Sequence, residues 1–250
     1  MANDKDVSAL RSGLEGVVVA ETRLSDVDGE AGRLVIAGHD VERLAGVASY
    51  EDVVALLLDG ALPASDRRRE IACRLGEARQ AAFTGLARVG DALDASDGMD
   101  ALRAGVAHFT GDDPIAITGA VAVVAAAWSR RSRGLPLVAP EPARTHAADL
   151  LAMIRGDAPC DADVRALDAY LVTVVDHGMN ASTFTARVIA STGSDLVSAV
   201  VGAIGALKGP LHGGAPGPVL DMLDAIGSPD QAEKWLDHEL LAGRRLMGMG

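Results

Sequence analysis

Two histidines stand in surroundings that suit chemistry. His177 lies within Asp176-His-Gly-Met-Asn-Ala-Ser-Thr-Phe-Thr185, and His212 within Leu207-Lys-Gly-Pro-Leu-His-Gly-Gly-Ala215. The second stretch reads as a thin, rigid turn. Gly209, Gly213 and Gly214 permit backbone geometries and close approaches that a side chain blocks, while Pro210 fixes one φ and removes one donor. A histidine on such a turn meets a ligand directly. A lone loop histidine is ordinarily a surface residue, and Gly-Pro and Gly-Gly ordinarily just punctuate helices. Here an Asp-His, an Asn (Asn180) and a Ser (Ser182) follow an apolar helix and point to the same junction, which favours a site.

The remaining candidates are weaker. His39 and His146 read as surface residues, the latter near a helix start, and His108 as a boundary residue beside an apolar stripe. Cys73 and Cys160 are far apart, with no CxxC and no histidine at metal spacing, so a reduced protein without a zinc site is expected. There is no Walker loop and no GxGxxG fingerprint.

The elements that must position these groups read as helices. With 250 residues the chain can bury a large core as one or two domains. Hydrophobic residues make up 49% but aromatics only 3%, so the core is built from Ala, Val, Leu and Ile, whose small side chains let helices pack closely and favour an all-α protein. A net charge of −12 argues against nucleic-acid binding, and Arg67–Arg69 and Arg130–Arg133 read as solvated helix ends or faces. The N-terminus lacks the basic start and apolar core of a signal peptide, and Pro114–Trp128, the longest apolar run, is shorter than a bilayer span. A cytoplasmic protein off the membrane is expected.

Along the chain, Val17–Val19, Ser25–Gly29 and Leu34–Ile36 read as two short strands around a turn tipped by Asp28-Gly29, within a hairpin over 13–38. Ser49 caps a helix from Tyr50 to Leu58 that Gly60 ends, and Ser65 caps a charged helix toward Val89, apolar enough only for an exposed position. Asp113-Pro114 starts a helix over 114–132 that is apolar on all sides and so belongs in a core or an interface. After a proline-rich connector, helices are expected at about 143–155, 162–175, 182–191 and 194–207, and two more follow Pro216.

DHGMNASTFTARV at 176–188 and GALKGPLHGGA at 205–215 resemble the two histidine motifs of the citrate synthase family in order, spacing and flanking residues. The resemblance extends through most of the chain, from Gly16-Val17 and Gly38 to Gly227-Ser228-Pro229-Asp230, although Ala37 stands where that family usually has an arginine. It implies an all-α, multi-helical large domain over 1–215 with the N-terminal hairpin, and the beginning of a small helical domain over 216–250. It implies condensation of acetyl-CoA with oxaloacetate to citrate through an enol or enolate and citryl-CoA, with acetyl-CoA as co-substrate and no other cofactor. His212 would donate a hydrogen bond to the enol oxygen and His177 would bind oxaloacetate. Asn180 and Ser182 would fix the tautomer of His212 or contact the acid, and Gly248 and Gly250 would begin a backbone contact with CoA. At a helix C-terminus the imidazolium of His177 is favoured, which suits a dicarboxylate. A homodimer is implied, and 114–128 and 195–207, which carry more apolar surface than one face of a monomer helix needs, are expected at or near its interface.

The resemblance also implies that the second catalytic histidine, the base aspartate and most substrate-binding arginines come after Gly250, so the 250 residues alone are expected to be inactive. Two alternatives stay open. One is a 2-methylcitrate synthase using propionyl-CoA, since one methylene changes binding by only ~1–3 kcal/mol. The other is a non-enzymatic fragment or paralogue that dimerises and binds ligand.

Overall fold

The computed structural model describes residues 18–210, 212–213, 216–244 and 246. A small antiparallel sheet comes first, in the order β1 (Ser25–Asp28), β2 (Arg33–Ile36), β3 (His39–Asp40). β1 and β2 pair from Ser25 opposite Ile36 to Asp28 opposite Arg33, and the Asp28 carboxylate accepts the Ala31 N–H at 2.9 Å inside the turn. The strand expected near Val17–Val19 is not formed at Val18 or Val19, and Val17 lies outside the described residues. Val18 is 91% exposed, so it gains none of the packing that makes a β-branched residue favour a strand.

β3 follows a two-residue link, Ala37–Gly38, with φ of 44° and 86°, the left-handed pair that a tight connection of this kind requires. Ala37 bears a steric cost there of ~1 kcal/mol. Its N–H is held by the Leu24 carbonyl at 2.7 Å. The extra strand half-buries His39 opposite Ile36, so it is not the surface residue expected.

After a short turn α1 (Val41–Leu44), helices account for the rest of the regular structure: α2 (Tyr50–Asp59), α3 (Ser65–Gly85), α4 (Gly98–Val106), α5 (Pro114–Arg131), α6 (His146–Arg155), α7 (Asp161–Thr173), α8 (Ala181–Ala190), α9 (Leu196–Leu207), α10 (Pro216–Ile226) and α11 (Ala232–Leu241). The start and stop signals act as read at two of them. Ser49 and Asp52 form a capping box on α2, which ends on left-handed Gly60, and Asp113 caps α5 ahead of Pro114. Elsewhere the caps shift. Ser65 is already helical behind Ala64, and α8 and α9, capped by Asn180 and Asp195, begin one residue before and two residues after the expected positions 182 and 194. Among the described residues no helix is long and apolar enough to cross a membrane.

The centre of the fold is α5, whose apolar circumference is covered by its own chain. Ile117, Val124 and Ala127 pack with Val106 of α4 and with Val197 and Ile204 of α9, while Ala120, Val123 and Ala126 pack with Ala82 of α3 and Met153 of α6. The sheet packs separately, through Ile36, onto Val53 and Leu56 of α2 and Val172 of α7. α3 is not the exposed helix expected. It buries Ile71, Leu75, Gly76, Arg79, Ala82 and Gly85. Ile71 and Leu75 pack with Ala55 of α2 and Ile115 of α5, and the rest of the contact is close backbone approach: a Cβ on Gly76 would lie 2.2 Å from the Pro142 carbonyl oxygen, and one on Gly119 of α5 would lie 2.7 Å from Ala78. A helix that meets its neighbours through glycine shows little hydrophobicity in its sequence.

The same interface holds a polar cluster. The Arg79 guanidinium, with no exposed surface, donates to Asp149 Oδ2 at 2.6 Å, to His146 Nδ1 at 3.1 Å and to the Arg144 carbonyl at 3.0 Å. His146, expected at the surface, is 3% exposed, and its backbone N–H donates to buried Glu51 at 2.7 Å. Because arginine only donates, Nδ1 must accept, so His146 is neutral. Burial, and then the neighbouring Arg79 charge, push its pKa down to about 3.

The unfolded imidazole takes a proton below its ordinary pKa of roughly 6.5 and the folded one does not, so stability is present above that value and is lost as pH falls toward the folded one. Half-buried Asp168, whose pKa burial raises, works in the opposite direction but more weakly because it keeps contact with water. Urea unfolding at about pH 7 and about pH 5 is therefore expected to differ by ~2 kcal/mol, with the acid sample weaker. His146→Gln should flatten that difference, and an equal slope in the variant would remove His146 as its source.

Candidate active site

α7 delivers the first motif, but it ends earlier than its sequence suggests. The last helical residue is Thr173, Val174 caps the end, and Asp176 turns its carboxylate onto the Gly178 N–H at 2.9 Å. A local side-chain bond of this kind competes with helix continuation. His177 is therefore exposed on a turn beyond the helix, outside the last-turn reach of the α7 dipole, so the dipole argument for its charge does not hold. Gly178 takes φ of 89°, and a Cβ there would lie 3.2 Å from Val27 Cγ2. The sheet thus backs the turn.

Asn180 then starts α8, with its Oδ1 accepting the Thr183 N–H at 2.9 Å. α8 and α9 form a close antiparallel pair: a Cβ on Gly202 would fall 2.2 Å from Ile189 Cδ1. The start of α8 and the end of α9 are thereby brought together. After Lys208 the chain turns at once, and the His212 and Gly213 N–H groups both donate to the Gly209 carbonyl, at 2.9 and 3.0 Å. Only glycine fits at 213, because a Cβ there would lie 1.9 Å from the Leu207 carbonyl oxygen.

This turn places His212, half-buried, against α8. Its Nε2 lies 2.9 Å from Ser182 Oγ, and Ser182 Oγ lies 2.7 Å from Asn180 Oδ1. The Thr183 N–H identifies the Asn180 atom as oxygen, an acceptor only. The serine proton therefore goes to Asn180 and the imidazole Nε2–H donates to the serine, which leaves Nδ1 as the uncommitted nitrogen. Three of the residues read from sequence thus form one hydrogen-bonded chain. His177 is on the adjoining turn without a hydrogen bond to any of them among the described contacts, and Gly248 and Gly250 lie outside the described residues. Sequence reading missed Lys208, whose ammonium bonds Asp100 of α4 and, through that bond, holds the Asp100 carboxyl below its ordinary range. A lysine at a helix C-terminus is unremarkable, and its partner is 108 residues away.

Residues 13–250 match the family described as citrate synthase, C-terminal domain. Over 261 residues the chain is 40% identical to a citrate synthase of Haloferax volcanii, covering 96% of this chain and 69% of that one. The chain belongs to the citrate synthase family. It is also 35% identical over 253 residues to a 2-methylcitrate synthase of Mycobacterium tuberculosis, covering 96% of this chain and 64% of that one. The chain thus spans about two thirds of the length of these relatives. Among solved structures, the citrate synthase of Thermotoga maritima matches with a TM-score of 0.78 at 32% identity over 96% of this chain and 67% of that one. A citrate synthase of Thermoplasma acidophilum, in ternary complex with carboxymethyl coenzyme A and oxaloacetate, matches with a TM-score of 0.77 at 26% identity, covering 94% and 65%.

In this member of the citrate synthase family, Asn180 serves two ends: it caps α8 and it anchors Ser182. Asn180→Ala is expected to lower the unfolding free energy by ~1 kcal/mol, while Asn180→Asp, which keeps the cap oxygen, changes it by a few tenths at most. Urea titration of the two variants checks this, and an Ala variant as stable as the parent would contradict it.

Proposed function

We propose that the protein carrying this chain condenses acetyl-CoA with oxaloacetate, giving citrate and CoA, and that residues 176–213 supply the hydrogen-bonding half of its site. The observation that carries this reading is the chain His212–Ser182–Asn180 on a turn that only glycine allows. A base removes an α-proton from the acetyl group, leaving an enol or enolate. Its carbon attacks the ketone carbon of oxaloacetate, and water then cleaves the thioester of citryl-CoA to citrate and free CoA thiol.

His212 is the donor to the enol oxygen, a role that suits a neutral imidazole because its acidity is near that of an enol. Donation from Nδ1 requires the imidazole to release its Nε2 proton to solvent and take one up from solvent at Nδ1. Ser182 lies within 2.7 Å of Asn180 and 2.9 Å of His212, so rotation about its Cβ–Oγ bond turns its proton from one to the other and selects the Nδ1–H tautomer. His177, exposed on the neighbouring turn, is read as the oxaloacetate ligand. Gly248 and Gly250 are read as the start of the CoA contact.

The domain reading is of the same kind: residues 1–215 form the large domain and 216–250 open a smaller one. Exposure of 61% at Leu220, 54% at Leu223 and 59% at Leu240 supports it. The protein is read as a cytoplasmic homodimer. α9 supports the dimer by keeping its small-residue face only half-covered, whereas α5 is already covered by its own chain. A second reading, 2-methylcitrate synthase acting on propionyl-CoA, is supported by the relative of that name.

Thiol release from acetyl-CoA and from propionyl-CoA, with and without oxaloacetate, tests both. His212→Gln is expected to lower kcat on the order of 10²-fold, as for losing one oxyanion-type donor, and His177→Ala to raise the KM for oxaloacetate more than it lowers kcat. Wild-type kinetics in both variants would remove the assignment. A monomer by light scattering would remove the dimer.

A further inference from the structure

The Lys208 ammonium makes a contact that the proposed chemistry does not use. Lys208 caps the C-terminal end of α9, four residues before His212; its Nζ bonds the Asp100 carboxylate and lies 3.7 Å from that of Asp97. Both carboxylates belong to the start of α4. Asp97 is its N-cap, accepting the Met99 and Asp100 N–H groups at 3.1 and 3.0 Å, and Asp100 also accepts from Arg103 at 2.9 Å.

This end of α4 is itself fixed to the core. The Trp128 indole N–H of α5 donates to the Ala95 carbonyl at 2.9 Å, and its ring lies so close to Gly98 that a Cβ there would meet it at 2.7 Å. On the other side the path from Lys208 to the imidazole has little slack. The His212 N–H is tied back to Gly209, and the turn closes so tightly at Gly213 that no Cβ fits. A shift at the end of α9 is therefore passed to His212 rather than absorbed.

We propose that Lys208 is a positioning residue: its pairing with Asp97 and Asp100 sets the end of α9 so that His212 Nε2 stays within hydrogen-bond reach of Ser182. It touches no reacting atom and acts through the end of α9. Its ammonium faces two carboxylates of one helix start, that of Asp100 lying 108 residues away in sequence. The importance of the contact rests on the role read for His212, but the contact itself is testable without turnover.

The test is nitrogen-15 NMR of histidine-labelled protein, read at His212. In the parent chain a single Nε2–H tautomer with a protected proton is expected. Lys208→Met is expected to give averaged tautomers and about tenfold faster exchange of that proton, as for loss of one hydrogen bond. Lys208→Arg, which keeps reach and charge, should retain the parent signal, and Asp100→Asn should reproduce part of the Met effect. The Trp128 indole signal, read in protein labelled at tryptophan as well, serves as the folding control, and if Lys208→Met fails to fold, Asp100→Asn decides. An unchanged His212 signal in Lys208→Met or, failing that variant, in Asp100→Asn would overturn the proposal, as would equal disturbance by Arg and Met. In thiol release, Lys208→Met should lower kcat about tenfold with little change in the KM for oxaloacetate. Absence of thiol release by the parent would count against the proposed function and leave the NMR result standing.

Discussion

A guanidinium sealed from water has to find its partners inside the protein, and Arg79 does so through Asp149, His146 and the Arg144 carbonyl. Losing one partner from such a pair costs on the order of 3–5 kcal/mol, because the remaining charge stays buried. The cluster therefore permits only one seating of the proline-rich connector and the start of α6 on α3. Glu51 extends it to α2 by accepting the His146 N–H, and its negative charge sits favourably at the N-termini of both helices. With α3, α2 and α6 locked, α5 is packed between α3, α4, α6 and α9 with no freedom left to choose another register.

Two lines of packing lead from that core to the site. One runs from α2 to α7, through Val53, Leu56 and Val172 and through the bond from the Tyr50 N–H to Asp168, and it ends at the turn carrying His177, which the sheet supports at Val27. The other runs from α5 through Trp128 and the first turn of α4 to Lys208, and it ends at the turn carrying His212. They meet where α8 begins and α9 ends. The 2.9 Å contact from His212 to Ser182 closes the gap between them.

Much of this was legible in the sequence where the signal is local. The Ser49 cap, the Asp113-Pro114 start and the glycine-lined turn around His212 need only neighbouring residues, and each forms as read. The two histidine motifs gave the family. What stayed hidden depends on partners distant in the chain. His146 looks like a surface residue because its donor and acceptor, Arg79 and Glu51, are 67 and 95 residues away. α3 looks exposed because Ile71 and Leu75 are joined on its buried face by Gly76, Arg79, Ala82 and Gly85, which carry little apolar signal. α7 was read two residues too long because Val174 and Val175 are apolar, whereas the Asp176 side chain captures the backbone and ends the helix.

The chemical claim comes down to whether Ser182 and His212 act as one unit, with the serine hydroxyl choosing which imidazole nitrogen carries the proton. A double-mutant cycle in kcat for thiol release, with Ser182→Ala, His212→Gln and the pair, measures that coupling. A coupled pair predicts that the double variant is no slower than His212→Gln alone, within about threefold. Losses that simply multiply would mean that the serine contributes independently, and would contradict its role in setting the tautomer of His212.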